Sequence, residues 1–300
     1  MVKTPILLFA FKRPDHTLQV LQSLSKNKES QESDLFVFID GPKSDEDIPG
    51  IEAVKKVVQS RKWCKTVNLQ INSRNNGVPA QIIGNVTKFC KERGRVIVLE
   101  DDIVLSPFFL NYMNKALDAY ANDDRVMEVS GYMYPIREVT VESGFIRGSC
   151  GWGWGTWRRA WEFFEPDGKK LLKQLSSRES RYEFNFRGSY KYYSLLKDQV
   201  EGKIGGWDIR WAASIFLNNG LTFVPASSLV RNIGFDGSGT NIPTSSAYDT
   251  TILNQPIIDY PQHSQETEEI LSAVIDFYKE QKTFKAMAKK LISRIRQRRF

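Results

Sequence analysis

Three carboxylates stand in a row behind a wholly apolar stretch in Val96-Ile-Val-Leu-Glu100-Asp-Asp102. Neighbouring like charges raise one another's pKa, so the arrangement is costly unless a cation or hydrogen-bond donors offset it. A divalent metal answers that need. Mg2+ and Mn2+ favour oxygen ligands and usually take one or two protein carboxylates, the rest of the shell coming from water and substrate phosphate. The competing reading is a solvated acidic turn, or the cap of a helix opened nearby by Ser106-Pro107. A second chemical segment is Cys150-Gly-Trp-Gly-Trp-Gly-Thr-Trp157, and six of the seven tryptophans fall between residues 152 and 211. Sugar rings have apolar faces that stack on aromatic rings, and glycine lets the backbone approach a ligand closely. Each ring taken singly is equally explained as core. Trp157 and Trp161, four apart in an expected helix, turn at least one ring inward. For Trp152 and Trp154 the glycine flanks favour a ligand.

The elements that must position these groups alternate regularly through the first third. Ile6 to Phe11, Leu35 to Ile39, Val67 to Ile71 and Val96 to Leu99 read as strands; Thr17 to Leu24, residues 51–62 and Pro79 to Glu92 read as helices. Such alternation predicts an α/β fold with a mostly parallel sheet. Ligands of these folds bind beyond the carboxyl ends of the strands, here Lys12-Arg13, Asp40-Gly41 and Glu100-Asp101-Asp102. A helix over Pro107 to Tyr120 and a strand over Val126 to Ser130 follow. From about residue 144 the pattern gives way to Gly, Trp and Arg. This divides one domain into a first half, 1–143, and a less regular half, 144–265, with a tail over 266–300.

The 300 residues are 41% hydrophobic and 26% charged, which excludes disordered and collagen-like classes. No apolar run approaches the roughly 20 residues that span a bilayer, and the N-terminal run lacks a cleavage site of signal type. Three cysteines and two histidines make neither a disulfide framework nor a zinc site, which points to a reducing cytoplasm. The net charge of +7 has one source: residues 281–300 carry eight Lys or Arg and no acid, which leaves 34 basic against 35 acidic residues elsewhere. A neutral body argues against nucleic acid as a partner. In the tail, Phe284, Met287, Ala288, Leu291, Ile292 and Ile295 fall at helical spacing between the cations. That pattern suits an anionic membrane surface, at the inner face of the cell membrane, or a helix packed on the body with a solvated basic face.

The run from Val96 to Ser130, with Glu100-Asp-Asp102, Pro107-Phe-Phe109 and Asp123-Asp-Arg-Val-Met-Glu-Val-Ser130, resembles N-acetylglucosaminyltransferase I and its bacterial relatives. These are inverting, metal-dependent glycosyltransferases of the Rossmann-like GT-A fold, and the likeness keeps its order over most of residues 4–240. It implies that Asp102 binds Mn2+ or Mg2+, that Glu100 and Asp101 lie near the ribose, and that Arg13 and Asp40 face the nucleotide. An arginine fork suits phosphate, and an aspartate can accept from a base imide. Arg13 read alone is a surface charge, and Asp40 alone an Asp-Gly turn residue. Arg74-Asn-Asn-Gly77 stands where the family carries a histidine toward the nucleoside, which leaves the base unassigned.

The resemblance further implies that Asp208, within Gly205-Gly-Trp-Asp-Ile-Arg-Trp211, is the general base; its alternative is a cap for the helix beginning near Ile209. Trp152, Trp154 and Trp207 fall on the sugar and acceptor side. Glycine-rich Val230 to Thr240 fits a loop closing over the donor, with Arg231 on the diphosphate and Asp236 as a rival base or a turn residue. The expected activity is transfer of a sugar, hexosyl or N-acetylhexosaminyl, from a nucleotide-sugar donor, a UDP-sugar, to a glycan or lipid-linked acceptor in bacterial surface polysaccharide synthesis. A sugar-nucleotide pyrophosphorylase would need a glycine-rich phosphate loop after the first strand, and Phe11-Lys-Arg-Pro-Asp15 has no glycine. A non-catalytic carbohydrate-binding protein would have no use for the carboxylate triplet.

Overall fold

The computed structural model describes residues 3–237 and 246–297, of which those from 284 onward are described as helix backbone alone. The strands are β1 (Ile6–Ala10), β2 (Asp34–Ile39), β3 (Thr66–Ile71), β4 (Arg95–Glu100), β5 (Ile103–Leu105), β6 (Val126–Ser130), β7 (Ser143–Ile146), β8 (Trp154–Trp157), β9 (Leu221–Pro225) and β10 (Val230–Asn232). Eight of them make one sheet in the order β3-β2-β1-β4-β8-β6-β9-β7, and β5 pairs with β10 apart from it. β3, β2, β1 and β4 are mutually parallel, as are β6 and β9. β8 runs antiparallel between β4 and β6, and β7 antiparallel at the edge. The chain therefore adopts the α/β class with a mostly parallel sheet that the alternation predicts.

β1 reads Ile-Leu-Leu-Phe-Ala with every residue buried, the pattern of a parallel strand covered on both faces. Edge strand β3, Thr-Val-Asn-Leu-Gln-Ile, is more polar and largely exposed. The helices Pro14–Ser25, Ile48–Gln59 and Val78–Arg93 each place a proline in the first turn, where the missing N–H would have had no partner. From β1 the chain builds β2 and β3 on one side, then returns to place β4 on the other. The crevice between the carboxyl ends of β1 and β4 is therefore the topological switch point, the position where such sheets bind ligands.

The tryptophan-glycine segment corrects the expectation of irregular structure. It forms β8, which joins the two halves through Val98 opposite Trp154 and Val129 opposite Gly155. In mid-sheet both faces of a strand are covered, so Trp154 and Trp157 are core residues. Trp157 ends the strand, the helix starts at Arg158, and Trp161 is buried as well.

One hydrophobic core runs through both halves and on into the helix Glu268–Gln297, where Ile270, Leu271, Val274 and Tyr278 are buried in it. The first turns of that helix are packed into the body. The basic side chains behind the membrane expectation lie, from residue 284 on, outside the described residues. No helix among the described residues is long and apolar enough to cross a membrane. A smaller core, including Leu171, Phe184, Leu196 and Phe216, holds the helices between Gly168 and Leu217 together.

Candidate active site

The switch point brings Arg13, just past β1, against the triplet that ends β4. Arg13 Nη2 donates to Asp101 Oδ1 and, at 2.9 Å, to Asp102 Oδ2; its Nε reaches Asp101 Oδ2 at 3.4 Å. Burial works against the guanidinium charge, but Asp101 and Asp102 outweigh it and hold its pKa above the ordinary value. Asp101 is buried and wholly engaged, so it clamps Arg13 and does not present itself to a ribose. Arg13 in turn is a partner of carboxylates before it is a partner of phosphate. Glu100 remains. Burial, then the charges of Asp102, Asp101 and Asp208, push its pKa up to about 8 against the opposing pull of Arg13. The charge of Asp208 therefore reaches Glu100, although the two lie far apart in sequence.

The β5–β10 pair lays the following loop over Asp102. Ile233 N–H donates to the Asp102 carbonyl at 2.8 Å, and Gly234 packs so close that a β-carbon there would collide with Asp102 Oδ2. Asp236 reaches back to His16 Nε2 at 3.2 Å, a long-range contact that no local pattern announces. Residues 238–240 of the expected closing loop lie outside the described residues. Arg231 projects elsewhere and forms a two-point pair with Asp249 at 2.7 and 3.2 Å, so the structure does not bring it to the carboxylates.

Asp40 also departs from expectation. Its Oδ1 accepts from the backbone N–H groups of Gly41 and Asn76, both at 3.0 Å, and from Asn72 Nδ2 at 3.3 Å; Oδ2 accepts from Gly77 N–H at 2.8 Å. The buried carboxylate is saturated. It clamps the loop after β3 onto the end of β2 and has little capacity left for a nucleobase.

Among the described residues no three His, Cys, Asp or Glu side chains converge as a metal-ligand set. A cation at the triplet would rest on Asp102, through the carboxylate oxygen that Arg13 leaves free, and draw its other ligands from phosphate and water. Burial and, after it, the neighbouring carboxylate charges keep a proton on Glu100 up to about 8, and a cation at this place would offset those charges.

Asp208 opens the helix Asp208–Leu217. Water reaches its side chain, yet protein surrounds it closely enough that burial raises its pKa, opposed by the backbone N–H groups of Ile209, Asp208 and Trp207. Gly206, at φ +118°, allows the chain to turn without a side chain crowding Asp208 Oδ1, from which a β-carbon would stand 3.1 Å. Trp154 and Trp207 stack at 5.0 Å within a buried group that includes Trp161 and Trp211. These two rings support the site from beneath and present no free face to a sugar. Trp152 alone of the three proposed binding tryptophans is partly exposed.

Glu128 is the residue the sequence reading missed. It lies in mid-β6, fully buried, accepting from Trp211 Nε1 at 2.6 Å, Ser149 Oγ at 2.7 Å and Cys150 N–H at 3.0 Å. Burial pushes its pKa up to about 7 against those donors. Through them it ties the segment leading to Gly151 to the helix that carries Asp208. A lone acid inside an apolar strand, Val-Met-Glu-Val, is the signal that pointed to it.

No protein-family model matches the sequence, and no curated protein matches it. Among solved structures, the chain is similar to mannosyltransferase PcManGT from Pyrobaculum calidifontis in complex with GDP-Man and Mn2+, at 10% identity over 72% of this chain and 69% of that one, TM-score 0.39. It is similar to TarS of S. aureus at 14% identity over 76% of this chain and 36% of TarS, TM-score 0.39. A Bacillus anthracis protein assigned as a glucose-1-phosphate thymidylyltransferase, in complex with a sucrose, shows 12% identity over 77% of this chain and 90% of that one, TM-score 0.39. Likenesses this faint carry no function across to the chain.

Proposed function

We propose that the protein is a glycosyltransferase that moves a sugar from a nucleotide-diphosphate donor, a UDP-sugar, to a hydroxyl of a glycan or lipid-linked acceptor, with inversion at the anomeric carbon. The observation that carries the reading is Asp208: a water-accessible carboxylate with a raised pKa, packed against Gly151 and Gly206, whose charge reaches Glu100 at the switch point of the sheet. A carboxylate raised above its ordinary pKa is a stronger base for proton abstraction than a fully solvated one. Asp208 takes the acceptor hydroxyl proton as the acceptor oxygen attacks the anomeric carbon. The bond to the diphosphate breaks on the opposite face, and its electron pair leaves with the nucleotide.

Asp102 is the residue to hold a divalent cation, whose part is to neutralise the departing diphosphate. Arg13 keeps Asp102 and Asp101 in place. The loop that Ile233 and Gly234 bring over Asp102 would limit the access of water to a bound donor. The setting in surface polysaccharide synthesis follows from the resemblance noted in the sequence.

The test is calorimetry of a panel of nucleotide sugars with and without Mn2+, followed by product analysis with the donor that binds. Cation-dependent binding of one UDP-sugar, with an inverted product anomer, supports the reading; binding of none overturns it.

A further inference from the structure

The cleft beyond Asp208 has walls that neither the triplet nor the donor explains. Gly151 sits against Asp208, a β-carbon on it falling 3.8 Å from the Asp208 Cβ, so Trp152 enters the cleft one residue on. Tyr190 comes from the turn before the helix Tyr192–Val200, where its phenol feels the Asp208 charge, and its ring stacks on Tyr278 with centroids 4.3 Å apart. Tyr248 stands at 90° to Trp152 with ring centroids 6.3 Å apart. Phe235 closes the corner, 5.4 Å from Trp152 and 6.0 Å from Tyr248. All four rings are partly exposed, unlike the buried tryptophans behind them, and they come from four separate segments.

The carboxylate beside this corner is Asp208, and three arginines of the neighbouring segments are engaged elsewhere. Arg13 is held by Asp101 and Asp102. Arg210 donates to the carbonyls of Pro166 and Gly206, and Arg231 pairs with Asp249. Ring faces favour the apolar C–H face of a pyranose, and unpaired carboxylates repel an anion brought up beside them.

We infer that Trp152 and Tyr248 form a platform for an uncharged pyranose ring, so that the acceptor ends in a neutral sugar presented to Asp208 and not in a phosphate or a uronate. This rests on the glycosyltransferase reading and narrows its acceptor class.

Saturation-transfer NMR on the intact protein tests it with methyl glucoside, methyl galactoside and the methyl glycoside of N-acetylglucosamine, beside glucose 6-phosphate and methyl glucuronide. At least one neutral glycoside should receive saturation at its ring protons, and the anionic sugars none. Trp152→Ala and Tyr248→Ala should each weaken that binding about tenfold. Trp152→Phe, which keeps a ring, should restore most of it and guards against a folding defect in the alanine variant. Asp208→Asn should let the anionic sugars bind. Equal binding of glucose 6-phosphate to the unmodified protein, neutral binding that survives both alanine substitutions, or no glycoside binding at all would overturn the inference. UDP titrated into the same sample separates the two readings. Nucleotide binding without any glycoside sinks the platform alone, whereas a glycoside without any nucleotide sinks the transferase.

Discussion

Carboxylates do different work on the two sides of this cleft, and the source of their stabilisation explains why. On the β1/β4 side Asp101 and Asp102 meet a cation, Arg13, that an adjacent parallel strand delivers to the same sheet end. On the far side neither Asp208 nor Glu128 has an ion pair among the described residues. Asp208 is supported by backbone N–H groups at a helix start, and Glu128 by an indole, a hydroxyl and an amide. A carboxylate paired with a full charge is spent on anchoring. One supported only by dipoles has no cation to give up before it takes a proton.

The largest effect should come from the side without a cation. Asp208→Asn is expected to lower transfer by about a thousandfold while leaving affinity for the nucleotide sugar within about twofold of the original, as read by product formation and calorimetry. Full turnover in that variant would remove the contrast drawn above. Next comes the anchored side: Arg13→Met strands Asp101 in the interior and should cost about 3 kcal/mol of unfolding free energy in urea titration. A loss below about 0.5 kcal/mol would show that the clamp is not structural.

A smaller, pH-dependent effect belongs to Glu128. The folded chain keeps its proton up to about 7, above the ordinary value that governs the unfolded chain, so folding is favoured at low pH and that share of stability is lost as pH rises through 7. The thermal midpoint should therefore fall between about pH 5 and pH 8, and Glu128→Gln should flatten the slope; an unchanged slope would place the titration elsewhere. The smallest effect is expected at Arg231, whose pair with Asp249 is half exposed. Arg231→Ala should change stability by less than about 0.5 kcal/mol and leave nucleotide binding intact, and a large loss of binding would return Arg231 to the donor site.

Much of the β1/β4 side was legible in the chain. Apolar runs of strand length, prolines opening the helices and polar residues at strand ends are local signals, and parallel connectivity then requires Arg13 and Glu100 to Asp102 to share one sheet end. The errors fell where burial and hydrogen-bond partners decide. Asp40 looks like any Asp-Gly turn until Asn72, Asn76 and Gly77 fold back on it. Trp154 looks like a sugar platform until β8 inserts between β4 and β6.

The sequence by itself determined the α/β class, the order of the first strands and the placing of the triplet, because those follow from periodicity over a few residues and from the handed connection of parallel strands. Only the tertiary structure decided which carboxylates are spent on holding the chain and which stay available. That depends on donors brought in from distant segments: Arg13 for Asp101, the loop after β3 for Asp40, Trp211 and Ser149 for Glu128. A side chain's pKa and its freedom to react are properties of those neighbours and of the water they exclude.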